Sequence, residues 1–254
     1  MKLDHRAMAV GVRLIAHDVL DSTNAEALRL ARAGELGPLW IVAQRQTAGR
    51  GRRGRSWISE PGNLCATLLL TEPGRSEHWP QLSFVAALAA HDAIAQAAAL
   101  SAPQLTIKWP NDILLNGAKV AGVLIEGEGS AVAVGIGVNC SSHPTTTEYP
   151  AADLAAAGLS AEALTNVLVL TMFERLAQWK RGAGFCEIRA DWLDRAAGVG
   201  EEICARLPDR ELTGCFDGLD PAGGLLLRLP TGDLVTIAAG DIFLRTAAPA
   251  AAAS

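Results

Sequence analysis

Between Thr106 and Asn139 the chain alternates strand-like runs with tight breaks, and the dipeptide Asn116-Gly117 constrains it most. A two-residue hairpin turn of the favoured type needs positive φ at both central residues, which asparagine and glycine tolerate. Thr106–Leu115 and Ala118–Gly127 are therefore the predicted arms of a β-hairpin, with Ala131–Asn139 as a third strand. The turn pairs Leu115 with Ala118, Leu114 with Lys119 and Asp112 with Ala121, and sets Gly122 opposite Asn111. Side chains alternate between faces, so Asp112 and Lys119 share one face as diagonal neighbours. Trp109-Pro110 signals a bulge or an edge, because proline has no N–H to give to a ladder. An ammonium, a carboxylate, a carboxamide and a glycine floor converge as in a ligand site. The plainer alternative is a partly exposed ion pair, which adds little stability.

A second segment carries the opposite chemistry. Residues 49–57 read Gly-Arg-Gly-Arg-Arg-Gly-Arg-Ser-Trp, and with Arg45 they bring Arg50, Arg52, Arg53 and Arg55 close together on a chain of net charge −5. Glycines free the backbone to approach an anion, and guanidinium groups grip carboxylate and phosphate oxygens in pairs. The loop is not a P-loop, since it lacks the Gly-Lys-Ser/Thr ending. Taken alone it also suits a nucleic-acid patch. Global acidity opposes that use, because such binders usually carry a broad basic face.

The remaining chain supplies a scaffold. Val12–His17, Leu39–Ala43 and Asn63–Leu70 read as strands, and Gln81–Leu100, Ser160–Lys180 and Glu187–Ala196 as helices. Asp21-Ser22-Thr23-Asn24 opens a helix, with Thr23 and Glu26 at capping-box spacing. After Gly198, short strands (Glu202–Leu207, Glu211–Leu219, Gly224–Leu229, Asp233–Ala238, Ile242–Arg245) separated by turn residues suggest a small β-barrel. No apolar run is long enough for a bilayer span and no signal-peptide core is present, so no membrane is expected. Cys65, Cys140, Cys186, Cys204 and Cys215 have no metal-type spacing and read as small hydrophobes in a reducing cytoplasm.

Taken in order, these segments resemble the biotin protein ligases. The likeness rests on Ser22-Thr23-Asn24, Gln46 through Trp57, Lys108–Asp112, Lys119-Val-Ala-Gly122-Val-Leu-Ile-Glu126, Gly135-Ile-Gly-Val-Asn139 and the terminal small barrel. It implies an α+β fold: a mixed, largely antiparallel sheet with flanking helices, like class II aminoacyl-tRNA synthetases, plus an SH3-like β-barrel. The implied divisions are 1–197, 198–246 and a disordered tail at 247–254. Bifunctional relatives begin with a DNA-binding helix-turn-helix, whereas here the pattern starts near Val12, as in the monofunctional type, so no DNA partner is expected.

The resemblance also implies chemistry. Biotin's carboxylate would attack the α-phosphate of ATP to give biotinyl-5′-AMP, and a lysine of a biotin carboxyl carrier protein would then take the acyl group. Arg50, Gly51 and Arg52 would hold the carboxylate and phosphate region, Arg55 the ATP phosphates, and Lys119 would sit between the reacting anions. Ser22, Thr23, Asn24 and Gln46 would meet biotin's ureido ring, with Gly122 lining its pocket. Asn111, Asn139 and Trp57 would serve the nucleotide, and Asp112 would orient groups or accept the amine's proton. Mg2+ would neutralise the leaving pyrophosphate. A lipoate ligase is the nearest alternative enzyme, and exposed edges of the central sheet leave room for a homodimer.

Overall fold

The computed structural model describes residues 12–244. The chain divides into two compact units between Arg195 and Ala196. The first holds β1 (Arg13–Leu20), α1 (Thr23–Arg32), β2 (Leu39–Gln46), β3 (Leu64–Thr71), α2 (Leu82–Ala98), β4 (Leu105–Lys108), β5 (Asp112–Leu115), β6 (Ala118–Glu128), β7 (Ala131–Val138), α3 (Ala161–Trp179) and α4 (Phe185–Leu193). Its seven strands form one sheet in the order β1-β2-β3-β7-β6-β5-β4. Only the β1–β2 pair is parallel; every other pairing is antiparallel.

Period-two alternation gives this sheet two different faces. On one, Ala66, Leu68, Val132, Val134, Ile136 and Val138 are buried hydrophobes. α2 lies against β4, β6 and β7 and packs in turn on α3. α2 is buried nearly all round, which accounts for its almost continuous apolar sequence. Phe84 of α2 meets Phe185 and Trp192 of α4 edge-on, with centroids 5.6 and 5.5 Å apart. On the other face α1 covers a smaller core of Ala27, Leu39, Ile41, Leu69, Ala131 and Ala133.

Several local expectations need correction. Thr106–Leu115 is not one strand: the chain reverses at Trp109-Pro110-Asn111, and Lys108 pairs with Asp112. Proline ends a ladder that it cannot donate to, so the run yields two short strands. Asn116 (φ 50) and Gly117 (φ 80) form the expected turn, and Leu115–Ala118 and Leu114–Lys119 pair as predicted. Beyond them the register slips by one, so that Ile113 faces Ala121 and Asp112, not Asn111, faces Gly122. Val120 is the extra residue of this bulge. Its neighbour Lys119 gives its backbone to another segment, donating to Pro150 O (2.8 Å) and accepting from Ala152 N (2.9 Å). The cap of α1 is Ser22, not Thr23, and its hydroxyl accepts from Ala25 N.

The second unit contains β8 (Glu202–Arg206), β9 (Glu211–Leu219), β10 (Leu225–Arg228), β11 (Leu234–Ile237) and β12 (Asp241–Leu244). They form an antiparallel sheet in the order β11-β10-β9-β8-β12 around buried Ile203, Phe216, Leu225, Leu227 and Ile242. The expected tail at 247–254 lies outside the described residues. Among the described residues no helix is long and apolar enough to cross a membrane. All five cysteines are free; Cys65 and Cys140 are buried as expected of small hydrophobes, whereas Cys186 is exposed.

Ile41 is fully buried beneath α1. Ile41→Ala is expected to cost roughly 2–5 kcal/mol, read from urea denaturation, while Leu36→Ala at an exposed site should stay within about 0.5 kcal/mol.

Candidate active site

The α1 face of the sheet places its polar residues in rows. Register runs from Lys108 to Asp112, then Gly122, Gly137 and Cys65 on five adjacent strands. Two glycines thus lie side by side at the centre of a row, next to a carboxylate and an ammonium. The row beside it runs Leu124, Gly135, Thr67, and the next begins with Glu126 opposite Ala133.

Each glycine makes room for a particular side chain. A Cβ on Gly122 would lie 3.1 Å from Lys119 Nζ, one on Gly135 2.3 Å from Asn24 Oδ1, and one on Gly137 2.4 Å from Trp57 Cε2. The predicted lysine, asparagine and tryptophan therefore rest on one bare patch of sheet. Lys119 Nζ is 5.6 Å from the centre of the Trp57 ring, within reach of a cation–π contact. The arginine loop and the central hairpin meet here.

Asp112 is the electrostatic centre. Its Oδ1 lies 2.6 Å from Lys119 Nζ and its Oδ2 3.3 Å from Lys108 Nζ. Burial opposes ionisation, yet the Lys119 and Lys108 ammonium groups outweigh it and hold the carboxyl below its ordinary value. Lys108 moves down from the usual lysine value because burial outweighs its attraction to Asp112, a carboxylate it shares with Lys119. Arg52 adds positive potential to both groups. Lys108 Nζ also sits 4.2 Å from the centre of the Tyr149 ring.

On the other side of the glycine floor lies a neutral hydrogen-bonding cluster. Gln46 Oε1 accepts from Thr23 N (2.8 Å) and Thr23 Oγ1 (3.0 Å), and Gln46 Nε2 donates to Ser59 Oγ (3.0 Å). Thr67 Oγ1 lies 2.8 Å from Thr23 Oγ1 and 2.7 Å from Asn24 Oδ1. Thr23, Asn24 and Thr67 are all buried.

The loop itself is folded. Gly51 N donates to Arg55 O (2.7 Å), Trp57 N to Gly49 O (2.9 Å), and Arg50 bridges Ser56. Arg53 takes a left-handed conformation at φ 56 between Arg52 and Gly54. Arg50 turns its guanidinium to Glu126, 3.0 Å away, and Arg55 Nε lies 3.5 Å from Arg52 O.

Other predicted residues do structural work. Ser22 caps α1, Asn139 Nδ2 holds the Ala152 carbonyl at 3.0 Å, and Asn111 Nδ2 donates to Val123 O. Among the described residues four buried polar atoms have no hydrogen-bonding partner: Asn111 Oδ1 and Trp57 Nε1 here, and His17 Nε2 and Trp192 Nε1 elsewhere. A cavity of about 290 Å³ opens between Ile58, Glu60, Asn63 and residues 142–146.

Sequence reasoning gave no role to Thr67, Glu126, Lys108 or Tyr149. Thr67 carried a readable signal as the lone polar residue in the run Leu64–Leu70, and Lys108 stood out through the scarcity of lysine. Nothing in the sequence paired Glu126 with Arg50.

Known proteins resemble this chain in sequence and fold. Residues 17–142 match the biotin/lipoate A/B protein ligase family, and residues 198–245 match the biotin protein ligase C-terminal domain. A biotin–[acetyl-CoA-carboxylase] ligase of Paracoccus denitrificans is 46% identical over 235 residues, which cover 88% of this chain and 97% of that protein.

The chain belongs to the biotin protein ligase family.

The bifunctional ligase/repressor of Bacillus subtilis is 35% identical, with 88% of this chain and 71% of that one covered. The Aquifex aeolicus biotin protein ligase in complex with biotin and ATP superposes with a TM-score of 0.79 at 29% identity, covering 92% of this chain and 99% of that one. The Leishmania major enzyme in complex with biotinyl-5-AMP gives 0.62 at 25% identity, covering 90% and 98%.

Removing the Asp112 charge leaves two ammonium groups facing each other in a poorly solvated site. Asp112→Asn is expected to cost about 3 kcal/mol at neutral pH. A carboxyl whose folded pKa lies below its unfolded value stabilises the fold above the unfolded value and loses that contribution as pH falls through the folded one. The stability gap between wild type and Asp112→Asn should therefore narrow as pH falls below the ordinary carboxylate value of 3.8. Urea denaturation at stepped pH measures it.

Proposed function

We infer that this protein is an ATP-dependent biotin–protein ligase, which activates biotin as biotinyl-5′-AMP and transfers it to a lysine of a carboxyl carrier protein. The observation that carries the inference is the meeting of Lys119, Asp112 and the Trp57 end of the arginine loop on one glycine floor, beside the Thr23–Gln46–Asn24 cluster. A ureido ring presents two donors and one acceptor. Hydroxyls and amides match it, as charged groups would not.

In the first step an oxygen of biotin's carboxylate attacks the α-phosphorus of ATP, and pyrophosphate leaves. Two anions must approach, so fixed positive charge is needed where phosphate charge accumulates. We assign that work to Lys119, with Arg52 and Arg55 on the phosphate side. Lys119 suits a bridging position, since its compact ammonium serves two partners without a forked geometry. Arg50 and Gly51 build the loop wall on the biotin side, and Gly122 gives the floor.

In the second step the carrier's lysine amine attacks the acyl carbon and AMP leaves. Once Lys119 turns to the ligand's anions, Asp112 Oδ1 is open to orient that amine or take its proton. Lys108 then remains beside Oδ2 and keeps the carboxylate ionised. Trp57 Nε1 and Asn111 Oδ1, a buried donor and a buried acceptor without partners, support a polar ligand close by. The cavity at Ile58 and Asn63 supports room for the nucleoside, and Asn139 holds the segment at Ala152 through its side-chain amide.

Magnesium fits this reaction as the counter-ion of ATP. It prefers waters, phosphate oxygens and one or two carboxylates, and the described residues hold no cluster of three acidic, histidine or cysteine side chains. The catalytic unit is read as class II synthetase-like and the second as a small SH3-like barrel, the latter supported by five short antiparallel strands.

Biotin-dependent ATP–pyrophosphate exchange tests the assignment, with transfer of labelled biotin to a carrier domain as its second arm. Exchange with biotin and none with lipoate is expected; the reverse preference would contradict it. Lys119→Ala should lose roughly 10²–10³-fold in exchange with an unchanged circular dichroism spectrum, and near-normal exchange would remove Lys119 from its role.

A further inference from the structure

Glu126 takes no part in the chemistry above, yet it joins the two halves of the site. One carboxylate oxygen, Oε2, accepts from Asn24 Nδ2 at 2.8 Å and from Arg50 Nη2 at 3.0 Å. The donors belong to different elements: Asn24 lies in the first turn of α1, and Arg50 opens the arginine loop. Glu126 stands on the α1 face of β6, opposite Ala133.

The two donors are held very differently. Asn24 is buried against Gly135, with Thr67 Oγ1 2.7 Å from its Oδ1 and Leu124 O 3.3 Å from its Nδ2. The Arg50 side chain is 45% exposed. Arg50 can therefore swing away, whereas Asn24 can only share its amide. A ring carbonyl that draws on Asn24 Nδ2 would leave Oε2 to Arg50 alone. Relieved of Asn24, Oε2 keeps both lone pairs for the guanidinium, whose charge-assisted bond is the stronger kind, so ring occupancy tightens the hold on the loop.

We propose that Glu126 is a positioning residue that couples occupation of the ring pocket to closure of the arginine loop, by handing one carboxylate oxygen from Asn24 to Arg50. This rests on the Thr23–Asn24–Gln46 cluster being the biotin ring pocket. The coupling is reciprocal: a closed loop also favours ring binding. It goes beyond holding the loop in place, because its signature is a change in how much biotin protects the loop and not the loop's mobility alone.

The test is limited trypsin cleavage between residues 50 and 55, followed by mass spectrometry with and without saturating biotin. Wild type, Glu126→Gln, Arg50→Gln and the double variant are compared, with biotin binding checked by equilibrium dialysis and folding by circular dichroism. Gln at 126 keeps an acceptor for Asn24 and loses the charge for Arg50. Biotin is expected to slow cleavage of wild type roughly tenfold and of each variant less than about twofold, with the double variant no worse than either single one. Equal protection of wild type and Glu126→Gln would overturn the role of Glu126 alone. Losses that multiply in the double variant would also overturn it, since the two residues would then act separately. A wild-type loop that biotin fails to protect would overturn the ring-pocket assignment and the coupling with it.

Discussion

A carboxylate held between two ammonium groups fixes the geometry of the polar face of the sheet. Asp112 sits at the inner end of a short hairpin arm, with Lys108 on one oxygen and Lys119 on the other. Burying one such charge without partners would be costly, and burying it with two cations is tolerable only in a fixed geometry. The bulge at Val120, the backbone bridge from Lys119 to Ala151 and the turn at Pro110 together supply that geometry. Lys119 is the one member of the trio with substantial side-chain exposure, 30% against 8% for Lys108. It alone is placed to exchange the carboxylate for a ligand's anions.

Glycine does the complementary work of making space. Gly122, Gly135 and Gly137 occupy two neighbouring rows of one face, and each lies under another residue's side chain: Lys119 from the same strand, Asn24 from α1, Trp57 from the loop. A methyl group at Gly135 or Gly137 would force Asn24 or Trp57 off the sheet. The glycine patch thus lies on a sheet whose opposite face packs on helices, with Asp112 and Lys119 on strands and the arginine loop reaching it through Trp57. A mixed anhydride hydrolyses when water reaches it, so a rigid floor and a closable cover suit this chemistry.

Much of this was legible from the residues. Asn116-Gly117 specified its turn through its backbone requirements, and the quoted motifs picked out Lys119, Asp112, Asn24, Gln46 and Trp57, which lie near one another over one face of the sheet. Four things were hidden, each for a physical reason. The slipped register depends on a hydrogen bond from Lys119 to Pro150, a partner remote in sequence. Thr106–Leu115 read as a single strand because Trp109-Pro110 signals a bulge or an edge as readily as a reversal, and the chain folds back there. Capping-box spacing pointed to Thr23, but tertiary contacts with Gln46 and Thr67 occupy that hydroxyl and leave the cap to Ser22. The partnership of Arg50 with Glu126 spans 76 positions and has no local signature at all.

A crystal structure of the protein with biotinyl-5′-AMP decides whether the glycine floor, Lys119 and the arginine loop hold one ligand. The ring should lie against Thr23, Asn24 and Gln46, the acyl phosphate between the arginine loop and Lys119 Nζ, and Lys119 should have left Asp112 Oδ1 for the ligand while Lys108 stays. Density for the adenylate away from the glycine floor, or a Lys119–Asp112 contact unchanged at 2.6 Å with the ligand in place, would contradict it.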